Sequence, residues 1–218
     1  MTTEELEAKV KILEDRLRTL EDIEEIKQLQ RIYGYYLDNR MGDEIIDLFS
    51  DDTELVDIGG VYLGKEGVKR LFKGVYGGGL PPGHMGQHGI QQAVITVDEG
   101  GKTAKGRWRV VWCMAAPVDD KIAALWGHGL YENEYIKENG KWLFKKFQCF
   151  LLYRTPYEDG WVKTPVAGLP QPSDLPEELR PDRPPAEFRP YPARDVVPFH
   201  YKHPITGKWV TPGPSKEG

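Results

Sequence analysis

Cysteine is scarce in this 218-residue chain: there are two, Cys113 and Cys149, each inside an apolar strand-like stretch. That excludes a disulfide-stapled scaffold and reads as two small buried hydrophobes in a reducing compartment. No apolar run approaches the roughly 20 residues of a membrane span, and the N-terminus lacks the layout of a signal peptide. Basic clusters are missing too, and the net charge is -5, which argues against nucleic acid as a partner. There is no strained Ser or Cys elbow. Gly77, Gly78 and Gly79 lack the strand-to-helix setting of a phosphate loop. The expectation is a soluble, cytoplasmic protein with one core and appendages.

What is present falls into three zones. Residues 1–22 place Leu6, Val10, Leu13, Leu17 and Leu20 at 4-3-4-3 spacing among Glu, Lys, Asp and Arg, which is a heptad seam. A helix this short is marginal alone, so the seam needs a partner: another subunit or its own domain. A homo-oligomer, trimer or dimer, is expected.

Residues 23–155 form the globular body. The patterning predicts a helix from about Asp22 to Asn39 and a short one from Gly42 to Phe49. A hairpin through Asp52–Ile58 and Val61–Leu63 comes next, then a helix over Lys65–Val75. Four strands follow, at about 88–98, 103–115, 124–137 and 142–153. Helices first and antiparallel strands last make the class α+β, with three helices packed on one face of a curved sheet. Residues 156–218 hold 14 of the 17 prolines together with Trp161, Phe188, Tyr191, Phe199, Tyr201 and Trp209. Such a segment builds no core but is too aromatic for a free linker. An extended wrap along the body or a neighbouring subunit is expected.

Two residues carry the chemical signal. Asp38 ends the amphipathic stretch Ile26–Asp38, where an acid gains nothing from the helix dipole. His88 opens the strand His88–Asp98. A carboxylate that orients an imidazole is a general-base device. Around this pair, Tyr35 lies three positions before Asp38, on nearly the same helix face. Tyr62 follows a Gly-Gly turn and borders the cavity in this reading, whereas Tyr33 and Tyr36 read as core. His84, in a glycine-rich loop, suits a polar contact at the pocket rim rather than a metal, for no third ligand has suitable spacing. His128, between Gly127 and Gly129, is either a ligand-facing imidazole or a bonded core histidine. Strand alternation puts Trp108, Val110, Trp112 and Met114 on one face and Arg107, Arg109, Val111 and Cys113 on the other. Trp108 and Trp112 are taken as the lining of an aromatic-accepting pocket, and Arg109 as an interface or anion-holding group.

The element order and local sequence resemble the nuclear transport factor 2-like (SnoaL-like) cone fold. The matching stretches are Tyr33–Asp38, Gly42-Asp43, Leu48–Asp52, Val61–Val68, His88 with Gln92 and Ile95–Asp98, and Gly129–Trp142. Gln92 departs from the usual Asn. The resemblance covers about residues 20–155. It implies that Asp38 and His88 match the catalytic Asp and His of scytalone dehydratase-like and hexachlorocyclohexane dehydrochlorinase-like members, which are cofactor-free eliminating enzymes. Thr155-Pro156-Tyr157, Gly160-Trp161 and the long tail are similar to members acting on lignin-derived aromatic dimers, some of which release formaldehyde. A cofactor-independent lyase for a small aromatic substrate is therefore expected. The alternatives are a dehydratase, an isomerase or polyketide cyclase, or a non-catalytic small-molecule binder. The fold hosts all of these.

Overall fold

The computed structural model describes residues 1–118, 120–168, 171–185, 187–193 and 195–212. Its first element, α1 (Thr3–Asp38), is one unbroken helix of 36 residues, so the expected arm and first body helix are continuous. Glu5 N–H donates to Thr2 Oγ1 while the Glu5 side chain accepts from Thr2 N–H, a capping box that starts the helix. No glycine or proline interrupts it before Gly34, and at 1.5 Å per residue it runs about 54 Å. Every one of its residues up to position 21 is exposed. The first buried one is Asp22, whose Oδ1 accepts from Lys137 Nζ at 2.6 Å and Trp142 Nε1 at 2.9 Å. That clamp marks where the helix meets the body.

Helix α2 (Gly42–Ile46) turns the chain into β1 (Phe49–Asp57) and β2 (Gly60–Leu63). Helix α3 (Gly64–Lys69) runs on into a π-helical turn, Arg70–Val75. Strands β3 (Met85–Val97), β4 (Thr103–Val118), β5 (Lys121–Glu138) and β6 (Lys141–Pro156) complete one six-stranded sheet in the order β2-β1-β6-β5-β4-β3. Its pairs are antiparallel except β1 with β6, which is parallel. The expected curved antiparallel sheet thus carries one parallel pair, because β1 enters beside the last long strand rather than the first. Bulges at Gln91/Val94, His128/Gly129 and Glu134/Tyr135 bend the long strands. Gln92 takes φ 53° at the first of them.

The core lies between the helices and the inner sheet face. Tyr33, Phe49, Phe72, Phe144, Phe147 and Tyr131 pack ring on ring there, with centroids 4.7–6.4 Å apart. Tail residues lie over the outer face, where Phe188 packs on Phe150 and Val197 is buried. Arg107 donates to the carbonyls of Val197 and Pro198 and bonds Glu132 at 2.5 Å, and Glu132 also holds His200. These described tail residues lie along the chain's own body. No helix among the described residues is long and apolar enough to cross a membrane.

Candidate active site

Gly34 and Asp38 are four apart, so they stack on one side of α1, and that side faces β3. The closeness depends on glycine: a Cβ at position 34 would collide with Ile90, two residues from His88 on the same strand face. His88 pairs with Trp112 across β3 and β4, so both side chains rise from the inner face. His88 Nδ1 and Asp38 Oδ1 are 2.7 Å apart, with the two side chains 13% and 19% exposed. The carboxylate fixes the tautomer with the proton on Nδ1. Among the described residues Nε2 has no protein partner, which leaves it free to accept a proton. The Trp112 ring stands nearly perpendicular to the imidazole, centroids 6.4 Å apart.

Deeper in the same inner face lies a polar group that no motif or spacing marks. Asp57, at the end of β1, accepts from Tyr76 O–H at 2.9 Å and Gly59 N–H at 3.3 Å. Burial raises its carboxyl above the ordinary carboxylate range. Tyr33, Tyr76 and Tyr131 are pushed well above ordinary phenols, chiefly by burial, so all three stay neutral hydrogen-bond donors at working pH. Arg154 stands within electrostatic reach of Asp57 and Tyr76, and its buried Nε has no partner among the described residues. Spacing could not have found this cluster, because α1, β1, the residue that follows the π-helical turn, β5 and β6 each supply one member.

A profile of the SnoaL-like domain family matches residues 18–148, more than half of the chain. The chain belongs to that family. No curated protein matches it significantly. Among solved structures, a putative scytalone dehydratase from Novosphingobium aromaticivorans is 21% identical, with TM-score 0.54, covering 64% of this chain and 90% of its own. A type 3 hexachlorocyclohexane dehydrochlorinase from Novosphingobium barchaimii is 24% identical, with TM-score 0.52, covering 65% and 92%. Such likeness establishes the shared fold.

On this SnoaL-like frame several sequence expectations change. Tyr35 is 72% exposed: at about 100° per residue it is turned from Gly34 away from the core, and it does not reach the dyad. His128 pairs with Val111, which puts it on the outer face. There it accepts from Arg109 at 3.1 Å and packs edge-on against Tyr153. Burial, then the Arg109 charge, lowers its pKa. The sheet itself separates His128 from His88. Arg109 also donates to Gln92 at 2.6 Å on that outer surface.

Trp108 does face inward, but it is core rather than lining. Its Nε1–H donates to Tyr135 O–H at 2.9 Å, and Tyr135 and Asn133 both donate to Gln30 of α1. Tyr62 is buried and donates to the Leu179 carbonyl at 3.4 Å. With Asp57, Tyr76, Leu71 and Leu175 it lines a water-sized cavity under the tail, and burial pushes its phenol up to about 12. His84 sits at the rim near Asp38, where its Nε2 accepts from Arg40 at 2.6 Å. Arg40 also ties down the carbonyls of Gly77 and Gly79, so His84 helps fasten the glycine loop to the end of α1. Burial and the Arg40 charge lower its pKa. Of the expected site residues, the structure gathers Asp38, His88, Trp112 and His84.

Proposed function

We propose that this SnoaL-like protein is a lyase in which His88, oriented by Asp38, removes a proton from a small aromatic substrate. The observation that carries the reading is the 2.7 Å contact between His88 Nδ1 and Asp38 Oδ1 in a largely enclosed site. An imidazole held this way presents Nε2 as the base, and the carboxylate stabilises the imidazolium that forms. The Trp112 indole edges the same space and suits an aryl ring. Tyr33 and Tyr131, neutral phenols deeper in the core, are suited to hydrogen-bond a departing oxygen. Two fold neighbours are by name a dehydratase and a dehydrochlorinase, in keeping with elimination.

As its substrate we propose an aryl diol dimer carrying a hydroxymethyl arm, of the kind lignin yields, on the resemblance at Thr155-Pro156-Tyr157 and Gly160-Trp161. His88 takes the arm's hydroxyl proton, and the O–H electron pair becomes the second bond of formaldehyde. The carbon–carbon bond to the arm breaks, and its electrons form the alkene. The benzylic carbon–oxygen bond breaks in turn, and its oxygen collects a proton from a neutral donor and leaves as water. The imidazolium then returns its proton to that donor. Electron-rich rings favour the step by stabilising positive charge at the benzylic carbon.

The test is purified protein against aryl diols with and without the arm, reading alkene and formaldehyde together. Both should appear only with the arm present. His88→Ala should cost at least about a hundredfold in turnover, the low end of general acid–base contributions, and Asp38→Asn nearly as much. Folded variants that keep more than roughly half the activity would make the dyad structural and sink the mechanism. Tight binding of these diols without turnover would make the protein a binder.

A further inference from the structure

Residues 3–21 of α1 are exposed along their whole length. Leu6, Val10, Leu13, Leu17 and Leu20 are between 44% and 65% exposed, although they form one continuous stripe along about 21 Å of helix. The clamp at Asp22 holds the base of the arm to the body, so the stripe cannot fold back onto the domain without breaking the helix. A solvated stripe of five large apolar side chains implies a partner.

The charges flanking the stripe specify that partner. With Val10 and Leu17 at the a positions and Leu6, Leu13 and Leu20 at d, the g positions carry Lys9 and Arg16. The e positions carry Glu7, Glu14 and Glu21. None of these five charged residues makes an ion pair within the chain among the described residues. Asp15 and Glu24, off the e and g positions of the same helix, do, with Arg18 and with Lys27 and Arg31. In a parallel, in-register coil each g residue meets the e residue five positions on in the neighbouring helix. Lys9 then meets Glu14, and Arg16 meets Glu21. An antiparallel pairing sets glutamate against glutamate and Lys9 against Arg16, which is repulsive along both edges. A second copy of the same chain thus supplies both the apolar surface and the matching charges.

We propose that the arm is a parallel, in-register self-association element that joins copies of this protein through residues 6–21. It projects from the body, so the copies are tethered at their N-termini while each body keeps its own site.

The test uses the full chain. Leu6→Cys places a thiol at the outer end of the seam, where two parallel arms bring it beside its own copy. Mild oxidation should give a covalent dimer on a non-reducing gel, with the unaltered protein, which retains Cys113 and Cys149, as the background. Lys9→Glu with Arg16→Glu, added to Leu6→Cys, should abolish that link. Glu14→Lys with Glu21→Lys, in the same background, should abolish it as well. Mixing the two charge variants should restore it, as a heterodimer only. Light scattering of the unaltered protein should exceed the 24.8 kDa chain mass. A monomer, no link at Leu6→Cys above background, or a link that forms only between Leu6→Cys and Leu17→Cys would each overturn the proposal; the last would mean antiparallel arms.

Discussion

At the scale of single residues, the two sides of the sheet divide groups that share a chemistry. His88 and His128 are both strand histidines beside glycine, yet the first meets a carboxylate and the second a guanidinium. A carboxylate stabilises the imidazolium that a general base must become, and a guanidinium opposes it. His128→Ala and Tyr35→Phe should therefore leave turnover essentially unchanged in the diol assay that His88→Ala abolishes; a large loss from either would mean that the reacting space lies elsewhere. Asp57 gives a pH signature of its own. Because burial raises its folded-state value above the ordinary 3.8, the native protein holds this proton more tightly than the unfolded chain does. Its contribution to stability is then fully present below the ordinary value and is lost as pH rises through the folded one. Asp57→Asn keeps an acceptor for Tyr76 and Gly59. It should flatten the fall in urea midpoint between acid and neutral pH and leave the variant at least as stable at neutrality. A steeper fall would show that the carboxylate is the form that the fold prefers.

Among elements, the glycines of β5 set the position of Trp112. A Cβ at Gly129 would lie inside van der Waals distance of the Trp112 ring and 2.8 Å from the Phe150 carbonyl. The indole rests on bare backbone. Gly129→Val should therefore destabilise by about 1–3 kcal/mol, the usual cost of overpacking, and displace Trp112 from the dyad. Denaturant titration would give the first effect and the Trp fluorescence of the folded variant the second. An unchanged midpoint would mean that β5 gives way instead. The network that joins α1 to the sheet, Gln30 with Asn133, Tyr135 and Trp108, is fully buried. It fixes the rotation of α1 about its axis, and that rotation aims Asp38 at β3.

For the whole molecule, the tail and the arm solve different surface problems. The tail is gripped at Arg107, which bonds Glu132 and two tail carbonyls and lies under Phe199 and Tyr201. Breaking a buried pair costs roughly 3–5 kcal/mol because the remaining charge is stranded. Here the partial exposure of Glu132 and its contact with His200 put the cost toward the lower end. Arg107→Met should release the end of the tail, seen as early cleavage near residue 195 in limited proteolysis while the body persists. Equal resistance in variant and parent would show that the aromatic contacts suffice to hold it.

How much of this was legible in the chain depends on the range of the interaction. Periodicity is local, so the helices, the four long strands and the inward Trp108, Trp112 face could be read from spacing. The pairing of Asp38 with His88 was legible from their settings and from the resemblance those settings carry. The heptad stripe was equally plain, although its exposure was not. Three-dimensional structure alone decided which face each remaining candidate occupies. Whether His128 looks inward depends on a strand register that bulges set, one of them at His128/Gly129 itself, and a one-residue change of register reverses every side chain. Tyr35 was lost to a helix rotation fixed by Gln30, five residues earlier in the same helix. Asp57, Tyr76 and Arg154 come together from three separate elements with no common spacing, because burial and charge neighbourhood belong to the folded chain and not to any stretch of it.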